Sequence, residues 1–376
     1  MPIHAAYVHV PFCVHRCGYC DFTVVAGRDD LIGPFLDALE LELQTQLGEP
    51  APVSTIFIGG GTPTYLAPHE LRRLLAMLAA WLTLEPLGEF SVEANPAGLD
   101  PERMEVLREF GVNRISLGVQ SFHQPTLQVL ERDHTPDLVG LVCDNLRHHG
   151  FDNLALDLIY GVPGQSMANW EETVQLALEL RPEHLSTYGL TFEKGTTYWG
   201  RLLRGELNRI DEELERSMYG HVMDILPRVG LDQYELSNFA VAGRECRHNQ
   251  VYWRSEPYYG FGPGAAGFDG TTRRMNHRSV HTWLKRIRAG ESPVTETEQL
   301  DRELAAREAV MLGLRQVRGI DLAEFRYRYH YDVRSLSAAA YDRFITSGWL
   351  QERSGLLQLT KEGRFVADTV MSEFLA

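Results

Sequence analysis

Three of the chain's five cysteines fall within eight residues, at Cys13, Cys17 and Cys20. The spacing, Cys-x3-Cys-x2-Cys, suits three corners of a cubane. Three thiolates on one short loop can hold three irons of a 4Fe–4S cluster, and the fourth iron then stays open to a small molecule. A zinc site usually pairs its cysteines in two separated knuckles and closes all four positions, and no second knuckle is present. Three thiols so close together cannot all form disulfides without strain. Unrelated core cysteines would not cluster in this way. The spacing points to an iron–sulfur loop.

Other polar side chains stand at the ends of apolar runs. Ile58-Gly59-Gly60-Gly61-Thr62-Pro63 would let a ligand touch the backbone, with exposed amides binding a carboxylate or orienting an amino group. A plain tight turn explains the same glycines, and the Lys-Ser/Thr ending of a P-loop is missing. Glu93, in Glu93-Ala94-Asn95-Pro96, could accept the two hydroxyls of a ribose, or be an exposed strand-terminal carboxylate. Gln120 ends the run Ile115–Gln120, and Arg132 follows on the next helix. Asp157 sits inside Leu154-Ala155-Leu156-Asp157-Leu158-Ile159, where a carboxylate needs a partner.

The elements that must position these groups alternate between strand and helix from residue 5. Strands are expected at Ala5–Val10, Thr55–Ile58, Glu89–Ala94, Arg114–Val119, Asn153–Ile159 and His184–Leu190. Helices are expected at Asp29–Leu47, Pro68–Leu82, Pro101–Phe110, Asp137–His149 and Met167–Leu180. The fold class is α/β: a parallel sheet with outer helices, in which six units make an open, partial (βα)6 barrel. Ligands of such sheets sit at the carboxyl ends of the strands, where the cysteine loop also lies. Residues 1–190 form this core. Residues 191–295, rich in aromatics and glycine, read as an extension that closes the side of the sheet and covers the mouth. Residues 296–376 read as a small helix-turn-helix with a wing, whose recognition segment is too weakly basic for DNA.

An apolar fraction of 44% and a net charge of −15 describe a soluble protein with no general affinity for nucleic acid. No signal peptide and no apolar run of membrane-spanning length are visible, which places the chain in the cytosol. There thiols stay reduced.

Together, Tyr-x-His-x-Pro-Phe-Cys-x3-Cys-x2-Cys, Gly-Gly-Gly-Thr-Pro, Glu-Ala-Asn-Pro, Gly-Val-Gln-Ser-Phe and Asp-Leu-Ile-Tyr-Gly-Val-Pro-Gly-Gln resemble the radical S-adenosylmethionine (SAM) superfamily. More narrowly, they resemble the branch of oxygen-independent coproporphyrinogen III oxidase and the HemW-type haem chaperones. The resemblance implies that Cys13, Cys17 and Cys20 hold the cluster and that SAM chelates its open iron. It also implies cofactor contacts at Tyr7, Gly60, Gly61, Thr62, Glu93, Gln120, Arg132 and Asp157. In this family an electron from the cluster cleaves SAM to methionine and a 5′-deoxyadenosyl radical.

Two features separate the branches. The oxidase carries a fourth cysteine where this chain has Phe22, a residue counted here with the cofactor-binding set, and it has an N-terminal extension for which this chain leaves no room. The chaperones carry His-Asn-x-x-Tyr-Trp, matched by His248-Asn249-Gln250-Val251-Tyr252-Trp253. Histidine is a common axial haem ligand, so His248 is a candidate, with Cys246 a rival and a simple turn cap the plain alternative. Cys143 reads as core. Glycines in Tyr258–Gly267 would bring backbone close to a flat ligand. The resemblance thus implies a haem-binding chaperone that delivers haem to apo-haemoproteins, with a radical enzyme acting on a porphyrin as the alternative. It leaves a homodimer open and assigns no catalytic residue.

Overall fold

The computed structural model describes residues 2–375. Strand β1 (Ala5–Val10) runs into the cysteine loop, which carries the short parallel pair β2 (Phe12–Cys13) and β3 (Val25–Ala26). Helix α1 (Ile32–Leu47) then leads to β4 (Ala51–Gly60), α2 (Pro68–Trp81) to β5 (Leu82–Ala94), and α3 (Pro101–Glu109) to β6 (Arg114–Gln120). Helices α4 (Gln124–Val129) and α5 (Pro136–His148) precede β7 (Leu154–Tyr160), and α6 (Met167–Glu179) precedes β8 (His184–Gly189). The six strands expected from the sequence pair in parallel in chain order, β1-β4-β5-β6-β7-β8.

The pleat separates two chemistries. Ile56, Ile58, Phe90, Val92, Ile115, Leu117, Leu156 and Leu158 point outward and join the helices in one apolar core. Their neighbours Thr55, Ser91, Glu93, Arg114, Ser116, Asp157 and Ser186 occupy the other face, where Ser91 pairs with Arg114, Glu93 with Ser116 and Asp157 with Ser186. A parallel sheet covered on both faces by apolar helices would have no such alternation. Here one face lines a cavity.

Boundaries shift for local reasons. The helix expected at Asp29–Leu47 begins with a 3-10 turn, Asp29–Leu31, before α1. The one expected at Pro68–Leu82 stops at Trp81, because Leu82 is extended and pairs with Ala51. Strands β4 and β5 are therefore longer at their amino ends than their apolar runs indicated.

The stretch after β8, expected to close the side of the sheet, does so by adding strands to both of its edges. Helices α7 (Thr197–Leu203) and α8 (Glu212–Ile225) lead to β9 (Asp232–Gln233) and β10 (Asn238–Ala240), which extend the β8 edge antiparallel. After α9 (Arg247–Trp253), strand β11 (Tyr259–Phe261) adds to β1 in parallel. Strands β12 (Ala266–Phe268) and β13 (Thr272–Asn276), helix α10 (Val280–Arg288) and strand β14 (Val294–Gln299) follow, the three strands forming a separate antiparallel sheet. Gly260 is required in β11, because a Cβ there would lie 1.9 Å from the Ala266 carbonyl oxygen.

The C-terminal block is α11 (Arg302–Gly313), β15 (Ile320–Asp321), α12 (Leu322–Tyr329), α13 (Val333–Leu336), α14 (Ala338–Thr346), β16 (Leu350–Arg353), β17 (Leu356–Leu359), α15 (Lys361–Phe365) and α16 (Ala367–Ser372). Its helices surround their own core of Phe325, Phe344, Leu357 and Phe374, with a β15-β17-β16 wing. No helix among the described residues is long and apolar enough to cross a membrane.

One buried carboxyl ties the extension to the barrel. Glu42 on α1 accepts from Gly262 N at 2.8 Å and from Asn276 Nδ2 at 2.6 Å, and burial pushes it up to about 7. A carboxyl raised in the fold keeps a proton that the unfolded chain has released. Its contribution to stability is present below about pH 4.5 and is lost as the pH rises through about 7. Glu42→Gln removes that titration. Urea unfolding at several pH values should show wild type losing stability relative to the variant between about pH 4.5 and 7, and a constant difference would refute the assignment.

Candidate cofactor site

Tyr7, the three clustered cysteines, Gly60, Gly61, Thr62, Glu93, Gln120, Arg132 and Asp157 all line one cavity at the carboxyl ends of the strands. Cys143 and Cys246 are buried elsewhere, on α5 and just before α9. Among the described residues, no three His, Cys, Asp or Glu side chains converge as ligands of a single ion. Thiols spread around a loop instead suit a cluster in which each binds a different iron. Burial pushes the Cys13 thiol up to about 11 and also raises Cys20, with the neighbouring thiols adding to the shift. Such thiols ionise when a metal offsets the cost. The donor set fits an iron–sulfur cluster.

The loop is held from several sides. Glu131, in a left-handed conformation (φ 55°) after α4, accepts from Gly18 N at 2.8 Å, and its carbonyl lies 3.7 Å from Cys17 Sγ. Tyr198 N on α7 donates to Gly18 O at 2.8 Å. Thr62 Oγ1 is 3.6 Å from Cys13 Sγ, and Arg278 reaches Asp21 O. His9 Nε2 lies 2.7 Å from Thr23 O, a carbonyl that can only accept, so the proton is on Nε2 and Nδ1 accepts from Tyr7 OH at 3.0 Å. Burial keeps this ring neutral by pushing its pKa down to about 4. Phe22 is 57% exposed beside the loop, on the cavity wall.

The glycine turn differs from expectation. Its amides are not free for a ligand: Gly60 N donates to Glu93 Oε2 (2.9 Å), Gly61 N to Val10 O (2.8 Å) and Thr62 N to Phe12 O (2.7 Å). The turn instead allows close approach. Gly60 has φ 105°, and a Cβ there would lie 2.4 Å from the His9 ring, while a Cβ on Gly61 would lie 2.6 Å from Phe12 O. Glycine here stitches β4 to the cysteine loop.

Below the turn lies a set of buried charges. Burial, then the charge of Asp157, pushes Glu93 up to about 7. Asp157 is raised by burial as well, opposed by Ser186, Arg114 and Ser116, whose Oγ lies 3.1 Å from Asp157 Oδ2. Both carboxyls are enclosed by protein and face the cavity. Arg114 is 2% exposed; burial disfavours its charge, but Cys246, Glu89, Tyr234 and Asp157 outweigh that and raise its pKa. Arg132 donates to Gly118 O at 2.8 Å, lies 3.9 Å from Cys17 Sγ, and has no carboxylate at ion-pair distance among the described residues. It can therefore bind a ligand carboxylate. Gln120, left-handed at φ 65°, ends β6 at the same wall.

The aromatic motif lies outside the barrel strands, on α9, and packs against the barrel interior. Glu89 at the base of β5 accepts from Arg247 N (2.8 Å) and His248 N (3.1 Å) and from Cys246 Sγ (3.6 Å). The His248 ring stacks on Phe57 at 5.3 Å, with Nδ1 2.9 Å from Thr55 Oγ1 and Nε2 2.8 Å from Tyr252 OH. Both nitrogens are occupied, and burial pushes the ring down to about 3. Iron ligation by His248 requires Tyr252 to move. Cys246 is fully buried with its thiol pushed up to about 12, so it is no available rival.

Sequence reasoning missed Glu131, His9 and Arg114. Arg114 stands at the edge of an apolar run, where a charge draws less notice than Asp157 does inside one. The role of Glu131 depends on a left-handed backbone and on a partner 113 residues away, neither of which is visible locally. Glu131→Ala leaves Gly18 N without its acceptor, a loss of about 1–3 kcal/mol in loop order. The reconstituted variant should lose iron and sulfide in air faster than wild type with an unchanged circular dichroism spectrum. Equal loss rates would show that the clamp is dispensable.

Comparison with known proteins agrees with this geometry. The radical SAM superfamily model matches residues 7–177, and the HemN C-terminal domain model matches residues 300–366. The chain is 37% identical to the heme chaperone HemW of Bacillus subtilis, covering 99% of both chains, and 36% identical to that of Mycobacterium tuberculosis, covering 98% of this chain and 94% of the relative. It shares the fold of the solved Escherichia coli coproporphyrinogen III oxidase HemN (TM-score 0.86, 22% identity, covering 99% of this chain and 90% of that one). The chain belongs to the HemW family within the radical SAM superfamily, whose membership implies a 4Fe–4S cluster and SAM as cofactors.

Proposed function

We propose that this protein binds haem and passes it to apo-haemoproteins, with a cluster and SAM at the barrel mouth. The observation that carries this reading is 36–37% identity, along nearly the whole chain, to proteins named heme chaperone HemW. Phe22 supports it, since it stands where the related oxidase has a fourth cysteine.

In this reading Cys13, Cys17 and Cys20 would hold the cluster, leaving it open to the amino and carboxylate groups of SAM. The cluster supplies the single electron on which superfamily chemistry runs. Arg132, a cation without a carboxylate of its own, pairs with the SAM carboxylate. Glu93 accepts from the ribose hydroxyls through the oxygen that Gly60 N leaves free. Tyr7, Gln120 and Asp157 complete the polar wall, and Gly60, Gly61 and Thr62 contribute shape, because their amides are already bonded. Phe22 lines the cavity beside the loop.

Anaerobic reconstitution should load one oxygen-labile cluster, and replacing Cys13, Cys17 or Cys20 by Ala should abolish it. Cys143→Ala and Cys246→Ala should leave iron and sulfide content intact; the reverse pattern would sink the ligand assignment. Glu93→Gln should weaken SAM binding by about 1–3 kcal/mol, read by calorimetry, with cluster content unchanged.

The reading itself is tested by haem titration and by assay with coproporphyrinogen III under reducing, anaerobic conditions. Haem should bind, and no carbon dioxide should be released. SAM-dependent decarboxylation without haem binding would establish the porphyrin enzyme instead.

A further inference from the structure

The cavity continues well past the cofactor residues. Its volume, about 1060 Å³, exceeds the roughly 300–1,000 Å³ of pockets that hold a single drug-sized ligand. On the β7–β8 side, across the sheet from β1, the cavity is lined by Tyr160 on β7, Tyr188 on β8, Tyr219 on α8 and, from the C-terminal block, Arg364 on α15. Tyr188 keeps 41% of its surface accessible although protein surrounds it, so that surface faces the cavity. Tyr160 and Tyr219 lie nearly parallel, 6° apart, with centroids 6.1 Å from each other. This is an aromatic wall with a cation at its edge.

The two arginines on this side differ. Arg315 has a carboxyl partner, with Nη2 3.7 Å from Glu235, and its guanidinium lies 4.4 Å above Trp253, although its Nε too is buried without a partner. Arg364 donates only to Gln233 Oε1, its Nε is buried without a partner, and no carboxylate among the described residues lies at ion-pair distance. Glu215 and Asp368 line the same wall without reaching it. A half-buried cation without a counter-charge is costly, and a ligand carboxylate would offset that cost.

We propose that this side is the macrocycle chamber: a planar tetrapyrrole lies against the tyrosine wall, and a propionate pairs with Arg364 of the C-terminal domain. The proposal rests on the haem reading above and adds the location and the anchoring charge. Asn249 and Tyr252 of α9 line the same cavity, which brings the aromatic motif and the chamber together.

The test is a titration of cluster-loaded wild type, Arg364→Gln and Arg364→Lys with haem and with haem dimethyl ester, which lacks carboxylates. Haem should bind Arg364→Gln about ten- to a hundredfold more weakly than wild type, the loss of one charge-assisted pair. Arg364→Lys should recover part of this, and the diester should bind wild type and Arg364→Gln alike. Cluster content and SAM affinity should not change. Equal haem affinity for wild type and Arg364→Gln, or a diester as sensitive to the variant as haem, would overturn the proposal. If the Gln variant fails to fold, haem against diester on wild type decides, and equal affinity there rejects the anchor. Absence of haem binding to wild type would instead remove the haem reading itself, and the chamber assignment with it.

Discussion

The barrel interior depends on one buried guanidinium. Arg114 starts β6, is 2% exposed, and stands among Glu89, Asp157 and the Cys246 thiol. Carboxyls taken out of water at this density would each be costly alone. Glu89 accepts from the first amides of α9 and so fixes the aromatic motif against the barrel interior. Asp157 and Glu93 share this face of the sheet, and burial raises both.

A second constraint is the immobilisation of a loop that has little regular structure. Its ladder is two residues against two, Phe12–Cys13 with Val25–Ala26. Order comes from distant partners: Glu131 and Tyr198 grip Gly18, His9 grips Thr23, and the glycine turn grips Phe12 and Val10. Side chains thereby hold the loop's backbone, and the three cysteines line the cavity. Preorganisation of this kind is what a metal-binding loop needs if loading is not to carry the cost of ordering it.

The additions to the barrel give the cavity its extent. Strand β11 widens one edge, β10 and β9 widen the other, and the C-terminal block contributes Arg364 to Thr369 to the far wall. That block has its own apolar core and meets the barrel through Phe365, edge-on to Tyr219, and through polar pairs such as Arg364 with Gln233 and Arg216 with Glu362. A wing-bearing helical fold therefore serves here as a wall, in keeping with the weak basic character of its sequence.

By itself the sequence determined the parallel βα order, and local signals pointed to the cysteine loop and to Glu93 and Asp157, while Gln120 and Arg132 were singled out by the family motifs. Those signals are a two-residue or 3.6-residue period, a ligand spacing, or a charge inside an apolar run. Tertiary structure alone decided what those groups touch. The amides of Gly60 to Thr62 looked free and are bonded, His248 looked like an open ligand and has both nitrogens occupied, and the closing stretch after β8 takes the form of strands on both edges. The reason is physical: hydrogen-bond partners and burial depend on contacts between residues far apart in the chain, such as Thr55 with His248 and Gly18 with Glu131, and no local pattern encodes such a pair.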